Sequence, residues 1–194
     1  MRFYLEITLL PNAEVGTPFL WSKVYQQIHL GLVEMQDDQK RVPIGVSFPE
    51  YVQGEKYCLL GSKLRMFASD EETLAKFNAA KWLARLSDYV HCTSIRSVPD
   101  NLIGHAIYQR EQPKTNKVRL AKRYASRHNM EFETALERYG SMAHKTVQTP
   151  YIHLKSLSSN NEFCLWIRKT MLALPLNDRY SSYGLSAVAS VPEF

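Results

Sequence analysis

A chain of 194 residues with 45% hydrophobic side chains has apolar material for one ordinary domain or two small lobes sharing a core, which excludes a disordered or fibrous protein. Its three cysteines, Cys58, Cys92 and Cys164, are odd in number and form no C-x-x-C pair, which argues against a disulfide framework and a zinc site and for a reducing compartment. The net charge of +5 is lopsided: residues 1–100 hold 11 Lys and Arg against 12 Asp and Glu, and residues 101–194 hold 13 against 7, so the halves stand at −1 and +6 and the second calls for a polyanion partner.

In chain order, residues 2–10 alternate Phe3, Leu5, Ile7 and Leu9 with Tyr4, Glu6 and Thr8, the period of a half-buried strand. Glu6 also interrupts an apolar run that is already short, which makes this start a poor signal peptide, and no later stretch approaches membrane-spanning length. A soluble, cytoplasmic protein without membrane contact is expected. Thr17 and Pro18 open a helix with the apolar stripe Trp21, Val24, Ile28, Leu32 and Met35, and His29 falls on its flank, one turn beyond Tyr25. Residues 42–48 and 63–68 read as strands. Ser69 and Glu72 form a capping box for a helix running to about Leu86, with Leu74, Phe77, Ala80 and Leu83 inward. A strand over 89–97 follows. Strand, helix, two strands, helix, strand is the ferredoxin-like order, which hosts many functions and proves none.

Residues 99–104 are the expected lobe boundary, dividing the chain into 1–99 and 100–194. A short helix is expected near 131–139, and strands over 151–158 and 162–169, joined at the turn-rich SSNN. The fold class is therefore α+β: an N-terminal ferredoxin-like lobe plus a C-terminal α+β lobe.

The stretch 110–128, REQPKTNKVRLAKRYASRH, carries Lys114, Lys117, Arg119, Lys122, Arg123 and Arg127 with no acid between Gln112 and Met130. As a helix capped by Asn116 it places Arg119, Arg123 and Arg127 on one face, with Lys122 beside them. Leu120, Ala121, Tyr124 and Ala125 are left to anchor the other face. Such an anchored line of cations is either a phosphate-binding surface or a solvated basic face. Arg110 and Gln112 lie two apart, so in an extended segment they point the same way. An arginine suits guanine O6 and N7 and a glutamine suits adenine N6 and N7, which makes the pair a reader of adjacent bases.

The chain resembles the CRISPR repeat-processing endoribonucleases of subtype I-F, the Csy-type RNA nucleases. The likeness is carried by IHLGL around His29, IGVSFP at 44–49, R-x-Q at 110–112, the run K-S-x-S-x-x-x-x-F-x-L-x-I-R from Lys155 to Arg168, and the terminal YGLS. It departs from the family pattern at Ser126, where a basic residue is expected, and in the SSNN turn, which lacks a glycine. The resemblance implies a metal-independent, cofactor-free endoribonuclease. It would bind the hairpin of each CRISPR repeat in the precursor transcript, cut at the 3′ base of the stem to leave a cyclic phosphate, and stay on the guide RNA as a subunit of the subtype I-F surveillance complex.

By that resemblance His29 is the catalytic histidine, Ser156 holds the ribose at the cut and Tyr183 orients the histidine. Imidazole titrates near neutrality and can take the proton of an attacking 2′-hydroxyl. Arg110 and Gln112 read the bottom of the stem and Phe163 stacks under its last pair. Lys114, Arg119, Lys122, Arg123 and Arg127 meet the RNA, with Ser158 a lesser contact. Each residue also has a bland reading: a packed helix-flank histidine, a strand-surface serine, an ordinary buried tyrosine, an inward strand phenylalanine. If those hold, the same basic residues describe a non-catalytic RNA-hairpin-binding subunit.

Overall fold

The alternating run at the start of the chain forms β1 (Phe3–Leu9), with Leu5, Ile7 and Leu9 buried and the residues between them partly exposed. The computed structural model describes residues 1–54, 56–113, 117–140, 148–156 and 159–194. These fall into two compact units, Met1–Glu111 with Thr149–Phe194, and Gln112–Gln148.

In the first unit α1 (Thr17–Glu34) starts from Gly16, whose extended backbone caps it. Pro18 sits in the first turn, where a missing N–H breaks no helical bond. Trp21, Val24, Tyr25, Ile28 and Leu32 form its buried stripe, whereas Met35 is a half-buried C-cap. Gly31 lets the helix approach its neighbours, because a Cβ there would stand 2.7 Å from both Phe77 Cε2 and Trp82 Nε1.

The strand expected over 42–48 is shorter: only β2 (Gly45–Ser47) meets a partner strand, while Val42 makes an isolated bridge with Tyr180. Val42, Ile44, Val46 and Phe48 are nevertheless all buried, so the apolar pattern reported burial rather than pairing. A small hairpin, β3 (Val52–Gln53) with β4 (Cys58–Leu59), leads into β5 (Lys63–Ala68), which has its expected bounds.

The helix expected from Ser69 to Leu86 is corrected in three respects. Asp70, not Ser69, is the N-cap, its Oδ1 accepting from Thr73 N at 2.8 Å. The helix α2 (Glu71–Phe77) stops at Asn78, whose left-handed backbone (φ 50°, ψ 70°) ends it and caps α3 (Ala79–Trp82), followed by a single 3-10 turn at Ala84–Leu86. This break resets the helical phase, so Ala79 rather than Ala80 turns inward beside Leu74, Phe77 and Leu83. The strand expected over 89–97 is likewise two pieces, β6 (Val90–Cys92) and β7 (Arg96–Ser97), both antiparallel to β1.

The first sheet runs β2-β5-β1-β6, antiparallel throughout, with α1 joining β1 to β2 and α2 and α3 lying between β5 and β6. That interleaving is the ferredoxin-like order. A second antiparallel sheet runs β11-β8-β10-β9, from β8 (Gly104–Glu111), β9 (Tyr151–Lys155), β10 (Glu162–Leu172) and β11 (Val191–Glu193). β8 and β11 have no counterpart among the expected strands. β8 buries Ala106, Ile107 and Tyr108 in succession and so lacks a period of two, and β11 is three residues long with Pro192 in the middle. Helix α1 packs on β9 and β1, and one hydrophobic cluster takes Ile28 and Leu32 together with Leu64, Ile152, Leu165 and Ile167.

The second unit holds α4 (Lys117–His128) and α5 (Phe132–Arg138). Their contact is built from small residues, Ala121, Ala125 and Ala135, edged by Tyr124, Phe132, Leu136 and Tyr139. Taken together the chain is α+β. Among the described residues no helix is long and apolar enough to cross a membrane.

Candidate active site

Helix α1 presents Tyr25 and His29 one turn apart, and both reach the segment after Tyr180. The buried Tyr25 hydroxyl donates to Tyr183 O at 2.8 Å. His29 Nδ1 lies 2.8 Å from Ser182 O. A carbonyl only accepts, so Nδ1 carries the proton, and in the neutral ring Nε2 is left as the basic nitrogen. Burial holds the imidazole below the ordinary histidine range, and the bond to Ser182 offsets part of that. The site therefore favours a neutral imidazole able to accept a proton.

The other constraint on His29 is a ring. Tyr183 stacks on it with centroids 4.2 Å apart and planes 6° from parallel. The tail that carries Tyr183 is fixed by its own backbone: Gly184 N donates to Ser181 O at 2.8 Å, Ser181 N to Leu185 O at 2.8 Å, and Val46 N in β2 to Gly184 O at 3.0 Å. Burial also raises the Tyr183 phenol above its usual pKa, with Arg110 pulling the other way, so the hydroxyl stays protonated at neutral pH.

Arg110, exposed near the end of β8, extends this line of contacts. Its guanidinium lies 5.8 Å from the Tyr183 ring centroid and 5.3 Å from that of Phe163 on β10. The adjacent acid, Glu111, is engaged by Arg168 and by Thr149 Oγ1 at 3.2 Å, and among the described residues Arg110 has no carboxylate partner. Its planar donors are thus held over aromatic faces without being neutralised. Ser156 follows the last residue of β9, the strand on which α1 packs. Its N donates to Asn161 O at 2.8 Å, and its Oγ accepts from Ser159 N at 3.3 Å. Asn160, at φ 57°, supplies the left-handed position of that turn for which a glycine is absent.

The family model for CRISPR-associated protein (Cas_Csy4) matches residues 4–194. The chain belongs to the Cas_Csy4 family. This family member is 34% identical to the "CRISPR-associated endonuclease Cas6/Csy4" of Escherichia coli (strain UTI89 / UPEC), over 100% of both chains. It is 32% identical to the protein of the same name from Pseudomonas aeruginosa (strain UCBPP-PA14), again over 100% of both. A solved structure titled "An RAMP protein binding different RNA substrates" aligns with 98% of this chain and 99% of its own at a TM-score of 0.37 and 11% identity, a likeness too slight to carry an argument.

The structure of this family member brings His29, Tyr183, Arg110 and Phe163 into one continuous run of contacts and sets Ser156 at the end of β9. Phe163 is half-buried and packs on the core as well as facing Arg110. In the second unit Gln112 is exposed, as are Arg119, Lys122, Arg123 and Arg127 on α4, while Ala121 and Ala125 face α5. Two bonds brace that helix pair: Lys117 Nζ donates to Gly140 O at 2.8 Å, and the Arg138 guanidinium lies 4.8 Å from the Tyr124 ring. Lys114, Ser158 and the expected N-cap Asn116 lie outside the described residues. Among the described residues no three His, Cys, Asp or Glu side chains gather as a metal site.

Sequence reasoning missed two contributors. Tyr25 carried a signal, its spacing of four from His29 on one helix. Ser182 carried none, because it acts through a backbone carbonyl that any residue could offer.

Proposed function

We propose that this chain is a metal-independent endoribonuclease that cleaves the hairpin of CRISPR repeats at the 3′ base of the stem. The observation that carries the reading is the double restraint on His29: the Nδ1 bond fixes its tautomer and the Tyr183 stack fixes its plane. Nε2 would take the proton of the 2′-hydroxyl at the cut. The 2′-oxygen then bonds to the adjacent phosphorus, the bond from phosphorus to the 5′-oxygen breaks, and that oxygen takes a proton from water. The upstream product ends in a 2′,3′-cyclic phosphate. Ser156 would hold the ribose so that attack and departure are in line.

In this reading residues 1–99 supply the histidine, and residues 100–194 supply Ser156, Tyr183 and the RNA-reading groups. Arg110 and Gln112 read the basal pairs, Phe163 stacks beneath them, and Lys114, Arg119, Lys122, Arg123, Arg127 and Ser158 bind the RNA, chiefly at its phosphates. The names of the two bacterial relatives support the endonuclease activity. Retention on the guide RNA in the subtype I-F surveillance complex completes the proposal.

The test is cleavage of a CRISPR repeat hairpin in EDTA by the wild type and by His29→Ala. One cut by the wild type, lost in the variant while binding persists, is expected. A 2′-deoxyribose before the cut should block cleavage and spare binding, since only the nucleophile is gone. Cleavage of that deoxy substrate at the same place, or dependence on added magnesium, would sink the mechanism. Binding by both proteins with no cut by either would make this a hairpin-binding subunit.

A further inference from the structure

A groove of about 630 Å³ opens in the first unit between α1, the 81–86 segment and the ends of β9 and β10, and no role above uses it. Four cations line it from three separate elements: Lys23 on α1, Lys81 and Arg85 on the 81–86 segment, and Lys155 on β9. All four are exposed, and among the described residues none makes an ion pair. The counter-charge is a single carboxylate, Glu162, which stands opposite Lys155 in the sheet and has its Oε2 3.9 Å from His153 Nε2. Lys23 lies over the Phe19 ring at 4.9 Å and Lys81 over Trp82 at 5.7 Å, contacts with neutral rings that leave each ammonium its charge. Trp82 gives the groove an aromatic wall, its indole held by a bond from Nε1 to Phe77 O at 3.1 Å.

The position of the groove is informative. Ser22 and Gln26, which line it, share a helical face with His29, spaced by four and three residues. On the other wall Lys155 is the residue before Ser156. The groove therefore runs along the two elements that lead to the candidate catalytic residues, α1 to His29 and β9 to Ser156, while Arg110 and Phe163 meet His29 through Tyr183. A cationic channel with a fixed aromatic wall is the build of a single-stranded nucleic acid site.

Resting on the function proposed above, we infer that this groove binds the single-stranded RNA immediately downstream of the cut, with Lys23, Lys81, Arg85 and Lys155 on its phosphates and Trp82 against a base. If the stem ends at Arg110 and Phe163 and the scissile phosphate lies at His29, the strand that continues past the phosphate enters the groove. It thereby holds the leaving 5′-oxygen in line.

The test measures affinity for an uncleavable hairpin with a 2′-deoxyribose before the cut, in three forms: ending at the cut, with six added 3′ nucleotides, and with six added 5′ nucleotides. The 3′ extension should tighten wild-type binding about tenfold at 0.1 M salt and steepen its salt dependence by roughly 0.7 per phosphate held. The pair Lys81→Ala with Arg85→Ala should abolish that gain and leave the unextended hairpin bound as by wild type. Lys23→Ala, on another element, should remove part of it.

A 3′ extension without effect, a gain that survives the double variant, or a double variant that also weakens the unextended hairpin overturns the inference. So does a gain confined to the 5′ extension. Without any gain, the cations would be left to an acidic protein surface. In all these outcomes the hairpin is still bound. A wild type that binds no hairpin at all defeats instead the reading on which the inference rests, and the groove assignment with it.

Discussion

His29 and Tyr183 lie face to face, 4.2 Å between ring centroids and 6° from parallel, although 154 positions separate them in the sequence. The contact uses the tyrosine's ring, and the histidine Nδ1 donates to the neighbouring Ser182 carbonyl, so the phenol hydroxyl is not what aligns the imidazole.

Tyr183→Phe should accordingly cleave at close to the wild-type rate, and Tyr183→Ala should be slower by roughly one to two orders of magnitude, part of the 10²–10⁴-fold that a positioned base supplies. Single-turnover rates at saturating protein, with hairpin affinity measured alongside, check this. A Phe variant as slow as the Ala variant would move the role to the hydroxyl.

The depressed pKa of His29 sets the pH behaviour. A base must be neutral to act, so kcat/KM should rise with pH to a plateau, with its midpoint below the ordinary histidine value of about 6.5. A phosphate beside the ring would favour the charged form, so the corresponding midpoint of kcat should lie higher. The same depression acts on stability. Above the unfolded pKa the histidine is neutral in both states and contributes nothing. As pH falls through the unfolded pKa towards the lower folded one, the unfolded chain takes up the proton first and stability declines. Replacing His29 by Gln should flatten that limb in denaturation curves recorded from pH 7 to 5.

Arg110 and the α4 cations should fail differently. Arg110→Ala should cost about 1–3 kcal/mol on the cognate hairpin and much less on one with its basal pair reversed, because a planar fork over base edges discriminates. Lys122→Ala should weaken both hairpins alike and lower the salt slope by about 1. Binding isotherms at three salt concentrations separate the two. Equal losses for Arg110→Ala on both hairpins would remove its base-reading role.

Gly184→Ala tests the platform beneath Tyr183. The backbone there is left-handed, φ 68°, and a Cβ would stand 2.6 Å from Val46 Cγ1. A loss of stability on the order of 2–3 kcal/mol is expected, 1–2 of it from the backbone and the rest from displacing Val46. Chemical denaturation reads it directly, and an unchanged midpoint would show that the turn adapts freely.

Elements whose pattern reports their own packing were legible. The alternation of β1, the stripe of α1 and the 63–68 strand came through with their bounds nearly intact, because each buries one face against a core. Asn78 was not legible as a helix break: its left-handed backbone is one local option among several, and it shifted the inward alanine from 80 to 79. β8 was missed because three successive buried residues erase the alternation.

The sequence by itself determined the α+β class, the uneven charge, the basic helix with its alanine face, and the residue types able to cleave and read RNA. Those are local properties, written in period, composition and side-chain chemistry. Only the tertiary structure decided which nitrogen of His29 is basic, that Tyr183 lies flat on it, and that Arg110 lies over both Tyr183 and Phe163. Each of these depends on a backbone carbonyl or a ring brought from a distant segment, and a side chain's partner across 150 residues is fixed by the packing of α1, β2 and the tail rather than by any neighbour in the chain.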